Sequence, residues 1–439
     1  MQIRYFVVSS VALIACTGDD VSVATAPDAG RRDATTFDAQ PPVDAGTADA
    51  PDATLPPALH LLMTQQAKSG ELVSIDPMKG AVDGRLAFSG FGFAAGGQSD
   101  PFLVQSSADL VARLDRDKPW IVRSSWSVAG SDGVDGGSAY ADPVQVIVVS
   151  PNKAYVLRFN RNSIAIIDPT QSADGGVASS YVSLASLQQP GDHDGSVDMS
   201  GAIFDPARKR LYVALSNIDL NNVDPNGYFQ LCGNTKSSII AIDTTTDKVV
   251  DLGGQAPGGG VTLAGVSPQF GAYGGLAYDA VGDRLLVLTT GCNQVAGDGG
   301  AGALVGRGIE AVTMKDGKTQ ALLDLNSYDF PGQMLYVGQH DALVQVGYGP
   351  YATTYRWDPA TSALGAPLAS APDVFAFDAK SGSIVGPQTP LLPDGGVGTV
   401  RVVSVSIAAD GGAPAVVVTS PFSESGGFFG NAVLFPGAN

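Results

Sequence analysis

From residue 59 onward one pattern of apolar and polar positions keeps returning. In its first half, an apolar run, a polar turn and a second apolar run follow one another, as in Ala202-Ile203-Phe204-Asp205-Pro206 leading to Arg210-Leu211-Tyr212-Val213-Ala214. The same order returns from Leu276 to Leu288. Weaker copies run from Val144 to Leu157, Met334 to Gly347 and Val374 to Val385. In the second half the apolar run ends in Asp, as in Ile75-Asp76-Pro77, Ile167-Asp168-Pro169, Ile242-Asp243-Thr244 and Trp357-Asp358-Pro359. Alternation of apolar and polar positions within such short runs predicts half-buried strands. An Asp followed by Pro or Thr starts the turn to the next strand.

Each full unit therefore predicts four antiparallel strands, a to d, and the chain carries seven units. An all-β fold is expected, a seven-bladed β-propeller of four-stranded blades. Strand c of successive blades ends at Asp76, Asp115, Asp168, Asp243, Met314 and Asp358, with a degenerate copy near Ile407. Blades of this kind repeat at about 40–50 residues, so the longer gaps before Asp243 and Met314 predict insertions in blades four and five. The first unit lacks a strand a, while residues 431–435 form a spare strand after the seventh. That C-terminal strand is expected to enter blade one, closing the ring and removing two open edges.

Composition agrees with turns and strands. The chain has 439 residues, 44% hydrophobic and only 15% charged, with 55 Gly and 28 Pro. Glu occurs only at Glu71, Glu310 and Glu424, so nearly all acids are Asp, a turn former rather than a helix former. The net charge of −18 argues against a nucleic-acid partner, which would need a Lys/Arg face, and against peripheral docking on anionic lipid.

The start of the chain departs from this pattern. Arg4 precedes an apolar run from Tyr5 to Ala15, too short to span a bilayer and suited to a signal peptide over residues 1–15. Leu13-Ile14-Ala15-Cys16 resembles the bacterial lipobox. That resemblance implies diacylglycerol on Cys16 and N-acylation, hence a partner in the membrane itself through the lipid anchor. Thr17, in place of an Asp, implies the outer membrane within the cell envelope. Residues 16–57 are dominated by Pro, Asp, Ala and Gly, with Pro27-Asp28-Ala29-Gly30 echoed at Val43-Asp44-Ala45-Gly46. Such a segment cannot bury enough apolar surface to offset its ordering entropy and reads as a spacer. The propeller then occupies residues 58–439, and a monomer is expected.

Two constellations carry chemistry. Cys232 and Cys292 fall in the b–c insertions of blades four and five. In a propeller those loops share a face with the d–a loops, and the two blades are neighbours, so a disulfide between them is expected. On the same face lie Asp192, Asp194 and Asp198 before blade four, and Asp219 and Asp224 within its insertion. Asp192, Asp194, Asp219 and Asp224 are candidate ligands for a calcium ion (Ca2+), which prefers oxygen. The loop lacks the terminal Glu and spacing of an EF-hand, and a set of solvated Asx turns is the preferred reading over a bound ion. His193 adds no ligand argument. His60 and His340 read as structural, and Gly90-Phe91-Gly92-Phe93 sits between strands with no helix to bind a dinucleotide. The strand-ending aspartates recur on every blade, which favours turn formation over chemistry.

The paired turns and the run Leu211-Tyr212-Val213-Ala214-Leu215-Ser216-Asn217 resemble seven-bladed propellers of the YVTN-repeat and surface-layer type. The resemblance implies scaffolding, or binding of a partner or ligand. The expected function is a membrane-anchored extracytoplasmic propeller that binds a protein, glycan or small ligand without catalysis. The alternative is a metal-dependent, lactonase-like hydrolase with its cation at the mouth of the central channel. Such enzymes are similar in architecture, yet they use an inner-strand Glu, and none of the three Glu falls on an innermost strand. A quinone-dependent dehydrogenase would need a Trp motif repeating by blade, and Trp120, Trp126 and Trp357 do not recur that way.

Overall fold

Runs such as Leu211 to Leu215 are apolar at nearly every position because both of their faces are covered. In a strand, successive side chains point to opposite sides. Leu211 and Val213 face one neighbouring blade, and Tyr212 and Ala214 face the other. A computed structural model describes residues 59–66, 69–96, 100–130, 140–171, 176–225, 230–297, 300–393, 396–407, 415–422 and 428–436. The leader, Cys16, the segment to residue 57 and Glu424 lie outside the described residues.

The strands form seven sheets, one per blade, each built on four antiparallel strands. The innermost strands are Phe428–Phe435, Gly92–Ala95, Pro143–Ser150, Met199–Asp205, Leu276–Asp279, Pro331–Gly338 and Ala376–Asp378, in order from blade one to blade seven. Blade one takes its innermost strand from the C-terminus: Phe428–Phe435 runs antiparallel to His60–Gln66, with Leu62 opposite Val433. All seven strand-c ends fall where the Asp pattern puts them, down to Arg401–Ser406 just before Ile407. Seven apolar clusters fill the spaces between consecutive blades, and the cluster of Leu61, Met63, Val385, Val402 and Leu434 closes blade seven onto blade one. Each blade thus depends on its neighbours for half its core.

Side-chain amides link the innermost strands around the axis. Asn431 donates to the Ala94 carbonyl at 2.7 Å and accepts its N–H at 2.9 Å. Gln145 does the same with Ala202, and Gln333 with Phe375. Gln269 donates to the carbonyls of Pro331 and Gly332. Each amide mimics a peptide group and continues the hydrogen-bond ladder across a gap that backbone cannot bridge.

The axis itself is filled. The 3-10 turn Gly271–Tyr273, in the connection into blade five, packs against the innermost strands of blades one, two, three, four and six. Only a segment on the ring axis can reach all of these. Tyr273 meets Phe93 edge-on at 5.6 Å, and the Ala272 carbonyl accepts from Asn431. A Cβ at Gly271 would stand 2.1 Å from Oε1 of Gln145 and would displace the amide that bonds Ala202.

Three details depart from the simple four-strand pattern. Gly176–Val177 adds a parallel strand to the outer edge of blade two, pairing with Trp126 and Ser127. The outer strand of blade four is split into Lys248–Val250 and Val261–Thr262, which pair with different parts of Ser238–Asp243. The insertion of blade five is an extension of its own hairpin, strands Arg284–Val295 and Ala301–Thr313.

Candidate functional site

Because strands alternate in direction, b–c and d–a connections leave the ring at one end and a–b and c–d turns at the other. The turn end is regular. Oδ1 of Asp76 accepts the N–H groups of Met78 and Lys79, and Asp115, Asp205, Asp243, Asp279 and Asp358 repeat the arrangement in their own turns. These aspartates hold turns, as their recurrence suggested.

The loop end is irregular. Cys232 and Cys292 form a disulfide with Cα atoms 5.1 Å apart and 60 residues between them in sequence. It ties the b–c loop of blade four to the extended hairpin of blade five. Backbone bonds reinforce the tie: Cys232 donates to the Asn293 carbonyl and Asn293 to that of Gln230. Gln230 in turn donates to the carbonyls of Asp219 and Asn222, which anchors the acidic stretch of the loop.

Asp192, Asp194 and Asp219 converge beside this tie. One carboxylate oxygen from each lies within 4.8 Å of the other two. Asp192 and Asp194 come from the connection into blade four, Asp219 from its b–c loop. Backbone N–H groups aim all three: Asp192 accepts from Asp194, Asp194 from Ser196 and Leu220, and Asp219 from Asn221. Asp192 is buried, and its Oδ2 has no hydrogen-bond partner. Asp198 stands close behind, fully buried. Its Oδ2 accepts from Ile218, while its Oδ1 has no partner. Burial holds the Asp198 carboxyl well above the usual range, and the charges of Asp194 and Asp192 push the same way. Burial and then Asp194 raise Asp192 also. Asp224, the fourth candidate ligand, is buried but lies outside the convergent group, past the turn that carries Asp219. His193 is exposed.

The remaining candidates have structural settings. His60 is buried between Ser74 at 3.2 Å and Asp83 at 3.3 Å. His340 pairs at the surface with Asp358. Gly92–Ala95 is the innermost strand of blade two. Glu71 and Glu310 both lie on third strands. Glu310 accepts the N–H groups of Ala264 and Gly265 and so fixes a loop. The loop end also exposes Tyr351 on blade six and Leu391, Leu392 and Val397 on blade seven.

Sequence reasoning did not anticipate the axial plug or the amide links. The Gly-flanked aromatic run Phe270-Gly271-Ala272-Tyr273-Gly274-Gly275, in a connection longer than a blade requires, is the signal that could have shown the plug.

No protein-family model matches the chain, and no curated protein matches it. Among solved structures it is similar to the periplasmic gluconolactonase PpgL of Pseudomonas aeruginosa, with 14% identity over 84% of this chain and 99% of that one and a TM-score of 0.47. It is similar to AztD of Citrobacter koseri, with 11% identity over 86% of this chain and 98% of that one and a TM-score of 0.45. For the hydrazine synthase of Kuenenia stuttgartiensis the values are 12%, 62% of this chain, 65% of that chain and 0.41, so less than two thirds of that chain is matched. These likenesses are of chain architecture and carry nothing about what this chain binds.

Proposed function

We propose that this chain is an extracytoplasmic binding propeller, tethered to the cell envelope by lipid on Cys16, that takes a protein, glycan or small ligand on its loop end. The supporting observation is the asymmetry of the ring. Disulfide and acidic convergence lie at one end, while the other is built from repeated Asp-held turns. Loops on a rigid scaffold are where binding residues concentrate. The lactonase-like alternative is less well supported. Gly271–Tyr273 occupies the axis, and Glu71 and Glu310 are on third strands.

The anchor is tested by fractionation. Cys16→Ser is expected to move the chain from membrane to soluble fractions, and unchanged retention would remove the anchor. The binding end is tested by screening the immobilised full chain against envelope proteins, glycans and small molecules. A ligand lost on combined Tyr351→Ser, Leu391→Ser and Leu392→Ser substitution supports the reading, and one retained equally contradicts it.

A further inference from the structure

The carboxylates of Asp192, Asp194 and Asp219 come from two separate loops, yet no ion pair among the described residues offsets them. Among the described residues, no Lys, Arg or His nitrogen lies within 4.0 Å of Asp192, Asp194, Asp198 or Asp219. Bringing like charges together in a half-buried site is unfavourable unless a counter-charge is present or a proton is taken up. A second feature is independent of that crowding. Oδ2 of Asp192 and Oδ1 of Asp198 are buried oxygens with no donor, although buried polar atoms are nearly always satisfied. Asp192 is only 6% exposed and Asp198 not at all. The arrangement therefore offers three converging carboxylates, one with an orphaned oxygen, to a species that can accept electron density from several oxygens at once.

We infer that Asp192, Asp194 and Asp219, with Asp198 behind them, form a calcium site that joins the connection into blade four to the b–c loop of the same blade. An ion about 2.3–2.6 Å from its ligand oxygens can span ligands up to about 5 Å apart, which matches a group lying within 4.8 Å. The donor set is all carboxylate, with neither Cys nor a His facing it, which selects a hard cation over zinc or copper. Calcium is favoured over magnesium because ligands drawn from two irregular loops suit a flexible coordination shell better than a strict octahedron. The disulfide positions one arm of the site. The path from Cys292 through Cys232, Asn293 and Gln230 ends on the Asp219 carbonyl, so reduction would loosen Asp219 but leave Asp192 and Asp194 in place. The site deepens the binding-end reading, because the cation would set the shape of the face that meets the ligand.

The test uses the full chain stripped with a chelator and titrated with calcium by calorimetry, with melting temperature followed in parallel. One ion per chain and a rise in melting temperature are expected. Asp194→Asn and Asp219→Asn, on different loops, should each weaken binding at least tenfold. In chelator both should melt no lower than the unmutated chain, because each removes a repelling charge. Reduction of the disulfide should weaken binding several-fold. The inference is overturned by no heat and no melting shift at millimolar calcium, by variants that bind as the unmutated chain does, or by magnesium binding as tightly. A calcium-loaded chain that still ignores every ligand in the surface screen would leave the ion in place and remove the binding-end reading, so the two fail separately.

Discussion

The two ends of the ring are built from the same residue type used in opposite ways. At the turn end, Asp205 or Asp243 reaches only two or three residues along its own chain, and its carboxylate is satisfied by N–H groups it meets locally. At the loop end, Asp192, Asp194 and Asp219 meet across two connections, and a buried oxygen of Asp192, with another of Asp198 behind it, is left without a donor. The first arrangement recurs on blade after blade and is a device of folding. The second occurs once among the described residues and is held by a disulfide. Where one residue type repeats with the fold, its chemistry is consumed by the fold; where it breaks the repeat, chemistry is left over.

If that contrast is right, damage at the loop end should be larger and should spread, while damage at the turn end stays small and local. The largest effect is expected from Cys232→Ala with Cys292→Ala. Removing a link that closes 60 residues should cost up to about 4 kcal/mol in urea unfolding. A loss below about 1 kcal/mol would mean that the loops of blades four and five are held by other contacts. Next comes Asn431→Ala. It leaves both polar groups of Ala94 unpaired in a buried place and should cost about 2–3 kcal/mol. Asn431→Asp, which keeps an acceptor but loses the donor, should also destabilise.

A pH-dependent effect follows from Asp142 and Asp373, at the same end. Burial pushes Asp373 up to about 7. Burial, followed by the charge of Asp109, pushes Asp142 up to about 7. Both hold protons more tightly folded than unfolded. Their stabilising contribution is therefore complete below about pH 4, the ordinary carboxyl value, and is lost as pH rises through about 7. Asp373→Asn should match the unmutated chain near pH 4 and exceed it at pH 8 by up to about 4 kcal/mol, read by denaturant titration at both values. A constant difference across pH would show that Asp373 does not titrate in this window. The smallest effect belongs to the turn end. Asp205→Ala removes the oxygen that accepts two local N–H groups and should cost about 1 kcal/mol without altering the loops. A loss comparable to that of the disulfide would erase the contrast.

What could be read from the chain before any coordinates follows the same division. The turns and strand ends were legible because each Asp signals to neighbours two and three residues away, so Asp76, Asp168, Asp243 and Asp358 mark strand c wherever they fall. Closure by the C-terminal strand and the Cys232–Cys292 disulfide were legible through topology, since a ring needs a fourth strand in blade one and places two insertions side by side. The plug, the amide links from Asn431, Gln145 and Gln333, and the two-residue strand Gly176–Val177 were not. They depend on contacts between residues far apart in sequence, and none leaves a periodic trace. Of the acidic candidates, Asp192, Asp194 and Asp219 converge and Asp224 does not, a distinction of loop path that composition cannot make.

Hydrogen exchange of the full chain, with calcium and with chelator, tests most directly the claim that the two ends differ in kind. The account predicts calcium-dependent protection confined to residues 192–198, 216–225 and 230–232, with the turns at Asp76, Asp205, Asp243 and Asp358 unchanged. Protection spread evenly over both ends, or none at either, would contradict it.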